Sequence, residues 1–457
     1  MKDMTKGNPL RIILAFAFPL LLTNICQQCY RIADAAVVGR VLGETALSSV
    51  GGASEPLLFM TISFFLGISY GLPIVTGQCF GAKDYVNVRR SIALSLVIAC
   101  GLSLPIMIAA GFTTDLALRL MKTPEKFMEG ASYYMKILYF CGVINVLLLL
   151  MTSIIRVLGD SKTPLYLMIC SCILNVGLNI LFVAGFGWGI PGVAWATVTA
   201  QFVPCILCVI YFRKKMAQFF PHFSDFRWSW HFIGEHLRVA LPSGFQTVLV
   251  AAGALIVQYA VNKCGPAAVG GISATAPLNN MFFMPLFAMG GALSTFSAQN
   301  FGAQNLRRII LGVRKAATLI LSYTAIATVV VFLCAPFFAT LFLGDAPENQ
   351  EVIAHGIRFL RLQAPFFLIL GCLFCTSTPL TGMGYTHIVF LSGVLELVMR
   401  TIGAMVLTRY IGFDGACLAH PLAWFGAVTV TGWYYFRKIR ELKRNGIPVR
   451  IERATEL

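Results

Sequence analysis

An apolar stretch near the N-terminus contains two charged residues, Asp34 and Arg31. Four of its polar residues follow one another at spacings of four, three and four residues: Thr23, Gln27, Tyr30 and Asp34. In a helix this spacing places them on one face. A carboxylate on an inward-facing stripe of a membrane helix is costly and commonly serves in transport. The stripe therefore predicts an ion-responsive group at Asp34, with Arg31 as the cation that tunes its pKa. A purely structural Arg31–Asp34 pair is the alternative.

Two further polar stripes repeat every fourth residue in later apolar stretches: Ser171, Asn175 and Asn179, then Ser392, Glu396 and Arg400. Each set shares one helix face. Glu396 and Arg400 have the favourable acid-before-base order one turn apart, which makes Arg400 a pKa-tuning partner of Glu396. Asn175, Asn179 and Glu396 are candidates for ion coupling. Interhelical hydrogen bonds for the asparagines and a structural salt bridge for Glu396 are the alternatives.

The elements that position these residues are predicted to be membrane-spanning helices. The chain is 58% hydrophobic and 12% charged, whereas soluble domains contain about 25% charged residues. Twelve apolar runs have the length of a membrane helix: 12–37, 51–77, 91–112, 132–153, 165–185, 192–212, 240–262, 269–299, 316–340, 357–381, 388–408 and 415–436. We therefore expect an all-α polytopic membrane protein.

The net charge of +16 reflects topology and gives no indication of nucleic-acid binding. With the N-terminus inside, 24 of the 35 Lys and Arg residues lie in the N-terminal segment, the alternate loops on that side and the C-terminal tail. This positive-inside asymmetry places both termini in the cytoplasm.

The two halves of the chain repeat one another. The motif starting at Gln78 (QCFGA) corresponds to that starting at Gln299 (QNFGA), and Gly192 corresponds to Gly415 at nearly the same offset. Each half has six spans, so the repeat is parallel, with both halves in the same orientation. The predicted limits are 1–212 and 239–440 for two six-helix lobes, 213–238 for a cytoplasmic connecting loop and 441–457 for a basic cytoplasmic tail. A central cleft between the lobes would permit alternating access.

Motifs of soluble catalysis and nucleotide binding do not occur in the sequence. The three C-x-x-C pairs, at Cys26, Cys205 and Cys372, each lie within an apolar run, where cysteine packs as a small apolar residue. We expect no enzyme activity, no metal and no cofactor. An integral membrane enzyme, the alternative from another functional class, would need clustered His, Asp or Ser groups.

The chain resembles the multidrug and toxic compound extrusion (MATE) transporters over about residues 8–440. The matching motifs are Asp34-x(4)-Gly39-x(3)-Gly43, Gln78-x(2)-Gly81-Ala82, Arg156-x(2)-Gly159-Asp-x(2)-Thr163-Pro164, and Asn175…Gly192-x-Ala194-x-Ala196-Thr197. The resemblance implies an antiporter that exports small cationic or amphipathic organic compounds in exchange for H+ or Na+. It implies coupling-ion positions at Asp34, Asn175, Asn179 and Thr197.

This sequence departs from the family pattern at two positions. Relatives often have an acid where Asn179 stands and an Asn where Arg31 stands. Since hard cations prefer charged oxygen ligands, we expect H+ coupling ahead of Na+.

The residues expected to line the cleft and contact substrate are soft and aromatic, with two polar members: Gln27, Tyr30, Met281, Phe282, Phe283 and Met284. For each of the last four, ordinary packing is the alternative. A lipid-linked oligosaccharide flippase of the same superfamily is the alternative function. Such flippases usually have more spans and several cations in the cleft. We expect a monomer in a bacterial plasma membrane, without a nucleic-acid partner.

Overall fold

The computed structural model describes residues 2–227, 229–343 and 350–448, and these residues form helices joined by short turns. The first half contains α1 (Pro9–Leu47), α2 (Glu55–Gly81), α3 (Tyr85–Leu120), α4 (Glu125–Phe140), α5 (Gly142–Val157), α6 (Lys162–Asn179) and α7 (Gly189–Lys215). The second half contains α8 (Trp230–Asn262), α9 (Pro266–Gly302), α10 (Leu306–Leu343), α11 (Gln350–Gln363), α12 (Phe367–Gly382), α13 (Thr386–Ile402), α14 (Thr408–Ile411) and α15 (Phe413–Asn445).

These helices confirm the predicted all-α polytopic fold of six spans in each half. Within the described ranges, ten helical segments are long and apolar enough to cross a membrane, and α4 with α5 forms an eleventh that bends by 51°. The less apolar α15 stands at the position of the twelfth predicted span. Helix α8 begins at Trp230. It therefore includes the last residues of the predicted connecting loop, 213–238. The predicted limits of the lobes stay a prediction, and residues 449–457 of the predicted tail lie outside the described residues.

Contacts divide the described residues into two compact units. The first contains residues 2 and 3 and Phe18–Gly244, and the second contains Met4–Ala17 and Phe245–Pro448. Helices α1 and α8, the first of each half, are each divided between the units at a point close to a proline, Pro19 and Pro242.

Helix irregularities recur at matching positions in the two halves. A π-helical segment, Ile180–Gly185, follows α6, and another, Gly403–Leu407, follows α13. Likewise, the break between α4 and α5 at Cys141 corresponds to the short 3₁₀ segment Ala364–Phe366 between α11 and α12. The number of residues between the two members is the same in both pairs. The repeat therefore extends to the local helix geometry.

The loop between α5 and α6 is organised by Asp160. Its carboxylate accepts hydrogen bonds from the hydroxyls of Thr163 and Tyr211, both at 2.6 Å, and from the backbone N–H of Lys162 at 3.0 Å. Burial by itself would raise the pKa of Asp160, but these hydrogen bonds outweigh burial and lower the pKa below its usual value. The ionised carboxylate therefore stabilises this turn.

Candidate functional site

A chain of polar side chains links three helices of the first unit around Asp34. The Asn179 amide on α6 donates to the Asp34 carboxylate on α1 at 2.6 Å and to the side-chain oxygen of Asn175 at 3.1 Å. The Asn175 amide in turn donates to the Thr197 hydroxyl on α7 at 3.5 Å. The structure thus brings together all four residues of the first half that were predicted to couple an ion.

The helical register of α6 explains this arrangement. Asn175 and Asn179 are one turn apart and fully buried, and the π-helical segment begins directly after Asn179. Buried polar groups are normally satisfied, and an exception calls for an explanation. The side-chain oxygen of Asn179 is buried and has no hydrogen-bond partner. It lies on the same amide as the nitrogen bonded to Asp34, so this amide has an acceptor that no hydrogen bond uses.

The other predicted site residues of α1 differ in their burial. The Tyr30 hydroxyl is buried near the Thr197 hydroxyl but lies outside hydrogen-bond geometry, whereas Gln27 is exposed. Arg31 is exposed and forms no ion pair with Asp34. Arg31 was expected to tune the pKa of Asp34, but the two side chains form no ion pair in this structure. The flexible arginine side chain instead extends outward to an exposed position.

Sequence reasoning missed a buried tyrosine in the surroundings of this cluster. Tyr134 on α4 is 8% exposed, and the groups that contribute to its electrostatic environment include Asp34 and Tyr30. In the sequence it is one of several aromatic residues in an apolar span, so the residue pattern gave no signal for it.

The second unit contains a buried ion pair on α13. Glu396 and Arg400 are 6% and 4% exposed, and the Arg400 guanidinium donates to the Glu396 carboxylate. A second guanidinium nitrogen donates to the Val250 carbonyl on α8 at 2.8 Å. A Cβ atom at Gly253 would lie 2.9 Å from Arg400, so the glycine leaves room for the guanidinium. The predicted partnership of Glu396 with Arg400 is present, and it ties α13 to α8.

The predicted substrate residues of α9 differ in their surroundings. Phe283 packs edge-to-face against Phe367 at 5.3 Å and Trp424 at 5.7 Å, inside the second unit. Phe282 is half-buried against Phe338, whereas Met281 is 59% exposed. Met284 is half-buried. Packing within the second unit accounts for Phe283, and Met281 has the most accessible side chain of the four.

The cysteines are all free thiols, including the C-x-x-C pairs. In the ranges that the structure describes, no group of three or more His, Cys, Asp or Glu side chains is arranged to hold a metal ion.

Comparison with known proteins identifies relatives along almost the whole chain. The sequence pattern of the MatE family matches twice, over residues 19–181 and 242–406, once in each half. The chain is 26% identical over 437 residues to the probable multidrug resistance protein YpnP of Bacillus subtilis, covering 95% of this chain and 96% of that one. It is 20% identical to the multidrug export protein MepA of Staphylococcus saprophyticus, covering 85% and 86%.

Solved structures show the same fold. A MOP superfamily transporter from Pyrococcus furiosus superimposes with a TM-score of 0.88 at 21% identity, over 96% of this chain and 98% of that chain. The outward-facing conformation of a multidrug resistance MATE family transporter gives the same score and coverage. The double match of the family pattern also confirms the parallel repeat of two six-helix halves.

Proposed function

Because the chain belongs to the MatE family of efflux transporters, we propose that it exports small organic compounds in exchange for an ion that binds at Asp34. The observation that carries this proposal is the 2.6 Å hydrogen bond from Asn179 on α6 to Asp34 on α1. It places the carboxylate in a polar cluster among apolar helices, where an ionisable residue commonly has a transport role. The lack of a nucleotide-binding motif favours an ion gradient as the energy source.

We propose H+ as the coupling ion. The Asn179 amide presents an N–H group to Asp34, whereas a bound cation requires oxygen ligands. An amide can pair with either form of a carboxyl group, through its N–H with the ionised form and through its oxygen with the protonated form. The unpartnered oxygen of Asn179 supplies the second of these options.

Cationic or amphipathic organic compounds are the proposed substrates. The names of the curated relatives, a probable multidrug resistance protein and a multidrug export protein, support this class. The exposed Met281 offers a soft, adaptable side chain of the kind that suits promiscuous binding. We also propose a bacterial plasma membrane as the location of the protein, and the distribution of Lys and Arg among the loops supports a topology with both termini in the cytoplasm.

The decisive experiment measures dye efflux from proteoliposomes in which H+ and Na+ gradients are imposed separately. A pH gradient alone should drive efflux, and Asp34→Asn should abolish it. Asp115→Asn is the matched control, because Asp115 forms a half-exposed ion pair with Lys136, and such pairs contribute little. Dependence on Na+ with no response to pH would overturn H+ coupling, and full activity of Asp34→Asn would remove Asp34 from the mechanism.

Multidrug export has a separate test in cells that lack their major efflux pumps. Expression of the protein should raise resistance to organic cations such as ethidium and lower retention of the dye. Unchanged resistance and retention across a broad panel of compounds would contradict multidrug export and leave the flippase as the remaining transport function.

A further inference from the structure

The segment between α7 and α8 is an ordered platform on the first unit. Met216 and Phe219 point inward and are 0% and 1% exposed. The Phe219 ring packs edge-to-face against Phe80 at the end of α2, at 5.7 Å, and against Tyr85 at the start of α3, at 5.5 Å. We call residues 213–230, apart from Trp228, the linker platform.

A buried acid fixes the tip of the linker platform. Asp225 is 8% exposed, and its carboxylate accepts hydrogen bonds from the backbone N–H of His222 at 2.8 Å and from the Arg89 guanidinium at 3.3 Å. Arg89 lies in the second turn of α3, a membrane-spanning helix. One helical turn rises about 5.4 Å. Through Arg89, Asp225 is therefore held within about two helical turns of the end of a membrane-spanning helix.

The platform directs aromatic side chains outward. Phe223, which begins the single turn closed by Asp225, is 100% exposed, and Phe226 is 45% exposed. Trp230, the first residue of α8, is 75% exposed. Apolar residues scattered singly on a surface are normal, but grouped exposed aromatics mark interaction sites. At the end of a membrane span Trp favours the headgroup region, and Phe is typical of the apolar face of segments that lie in the membrane interface.

The same surface is basic. Arg213, Lys214 and Lys215 form the last turn of α7 and are exposed, as is Arg227. Asp225 is the sole acid of the segment, and its charge is matched by Arg89. Exposed bases beside exposed aromatics form the pattern of a protein surface that lies on an anionic bilayer.

We propose that the linker platform is a binding surface for anionic phospholipids of the membrane leaflet on its side. The aromatic side chains insert at the boundary between headgroups and acyl chains, and the four bases bind lipid phosphates. The proposal goes beyond transport, since it concerns none of the residues around Asp34.

The test compares the full-length protein in nanodiscs of phosphatidylglycerol and of phosphatidylcholine, with hydrogen–deuterium exchange of residues 213–230 as the local readout. Phosphatidylglycerol should protect these backbone amides more than phosphatidylcholine does, and added salt should reduce the difference. The quadruple variant carries Arg213→Gln, Lys214→Gln, Lys215→Gln and Arg227→Gln. In this variant the protection of residues 213–230 should no longer differ between the two lipids. Its affinity for phosphatidylglycerol should be reduced roughly fivefold for each base removed.

A matched control removes four exposed bases elsewhere: Arg307→Gln, Arg314→Gln, Lys443→Gln and Arg444→Gln. This control should keep the protection of the platform. Phe223→Ala should weaken protection and Phe223→Trp should restore it, which tests the aromatic contribution even if the quadruple variant fails to fold.

Equal protection in both lipids, or protection that survives the quadruple substitution, would overturn the proposal. Absence of protection in either nanodisc would also overturn it and would indicate a cytoplasmic protein as the partner of this surface.

Discussion

Removing one member of the buried ion pair on α13 should cost far more stability than removing both. Arg400→Met leaves the Glu396 carboxylate buried without its cation and deprives the Val250 carbonyl of its donor. Glu396→Gln keeps a side-chain acceptor but leaves the guanidinium uncompensated. The double variant, Glu396→Gln with Arg400→Met, removes both charges and keeps a similar side-chain volume.

The magnitude follows from the burial of both side chains, 6% and 4% exposed. Breaking a buried pair by removing one partner costs about 3–5 kcal/mol, whereas replacing both partners is often neutral. We therefore expect Arg400→Met to lower the free energy of unfolding by ~4 kcal/mol. We expect the double variant to lie within ~2 kcal/mol of the wild type, since the Val250 carbonyl still loses a hydrogen bond.

The assay is unfolding in mixed micelles with increasing SDS, for the two single variants and the double variant. Arg358→Met is the control, because Arg358 forms an ion pair with Asp414 but its side chain is 62% exposed. It should cost about 1 kcal/mol or less. If the effects of the two single substitutions simply add in the double variant, the buried pair is not energetically coupled and the reasoning fails.

The same double variant separates two roles of Glu396. If it folds and still drives efflux from proteoliposomes, the pair is structural. If it folds with wild-type stability but does not transport, the charged pair takes part in coupling.

Three further substitutions test the contacts of individual residues. Asn179→Leu removes the donor to Asp34, and because hydrogen bonds to charged groups contribute about 1.5–3 kcal/mol, the initial rate of dye efflux should fall roughly 10- to 100-fold. Asp160→Asn should cost ~1–2 kcal/mol at neutral pH. Because the folded protein lowers the pKa of Asp160, the carboxylate stabilises the protein above its ordinary pKa of about 3.9, and the difference should shrink as pH falls below that value. Gly382→Ala should destabilise the protein by ~1–3 kcal/mol, since the added Cβ would lie 2.2 Å from the Ser294 carbonyl oxygen.

Each of these expectations has a contrary outcome. Wild-type efflux by Asn179→Leu would show that the hydrogen bond to Asp34 does not matter for transport. A stability difference for Asp160→Asn that stays constant through the acid range would contradict the role of the ionised carboxylate. Unchanged unfolding of Gly382→Ala would show that α9 and α12 adjust to a side chain at this contact.

The sequence was sufficient to predict the spans and the repeat, because both depend on long-range hydrophobic pattern and on a nearly constant offset between motifs. It was also sufficient to group Asp34 with Asn175, Asn179 and Thr197, although only by family resemblance. The hydrogen bond from Asn179 could not be derived, since spacing along one helix does not specify which side chain of another helix it meets.

The sequence left the outcome open where a flexible side chain or a short segment decides it. Arg31, three residues before Asp34, has the spacing of an ion pair, yet its side chain is exposed. The connecting segment read as a basic loop, but Phe219 and Asp225 are buried and give it a fixed shape. Both results depend on tertiary surroundings, which local sequence does not encode.

The matching irregularities of the two halves have a consequence for the history of the chain. A π-helical segment follows α6 and another follows α13, at equivalent positions of the repeat. The simplest origin is a single ancestral gene that already encoded this feature before it was duplicated and fused. Because each half has an even number of spans, two copies of the ancestral product would have entered the membrane in the same orientation. A homodimer of six-span subunits is the assembly from which a fused chain of this kind would descend.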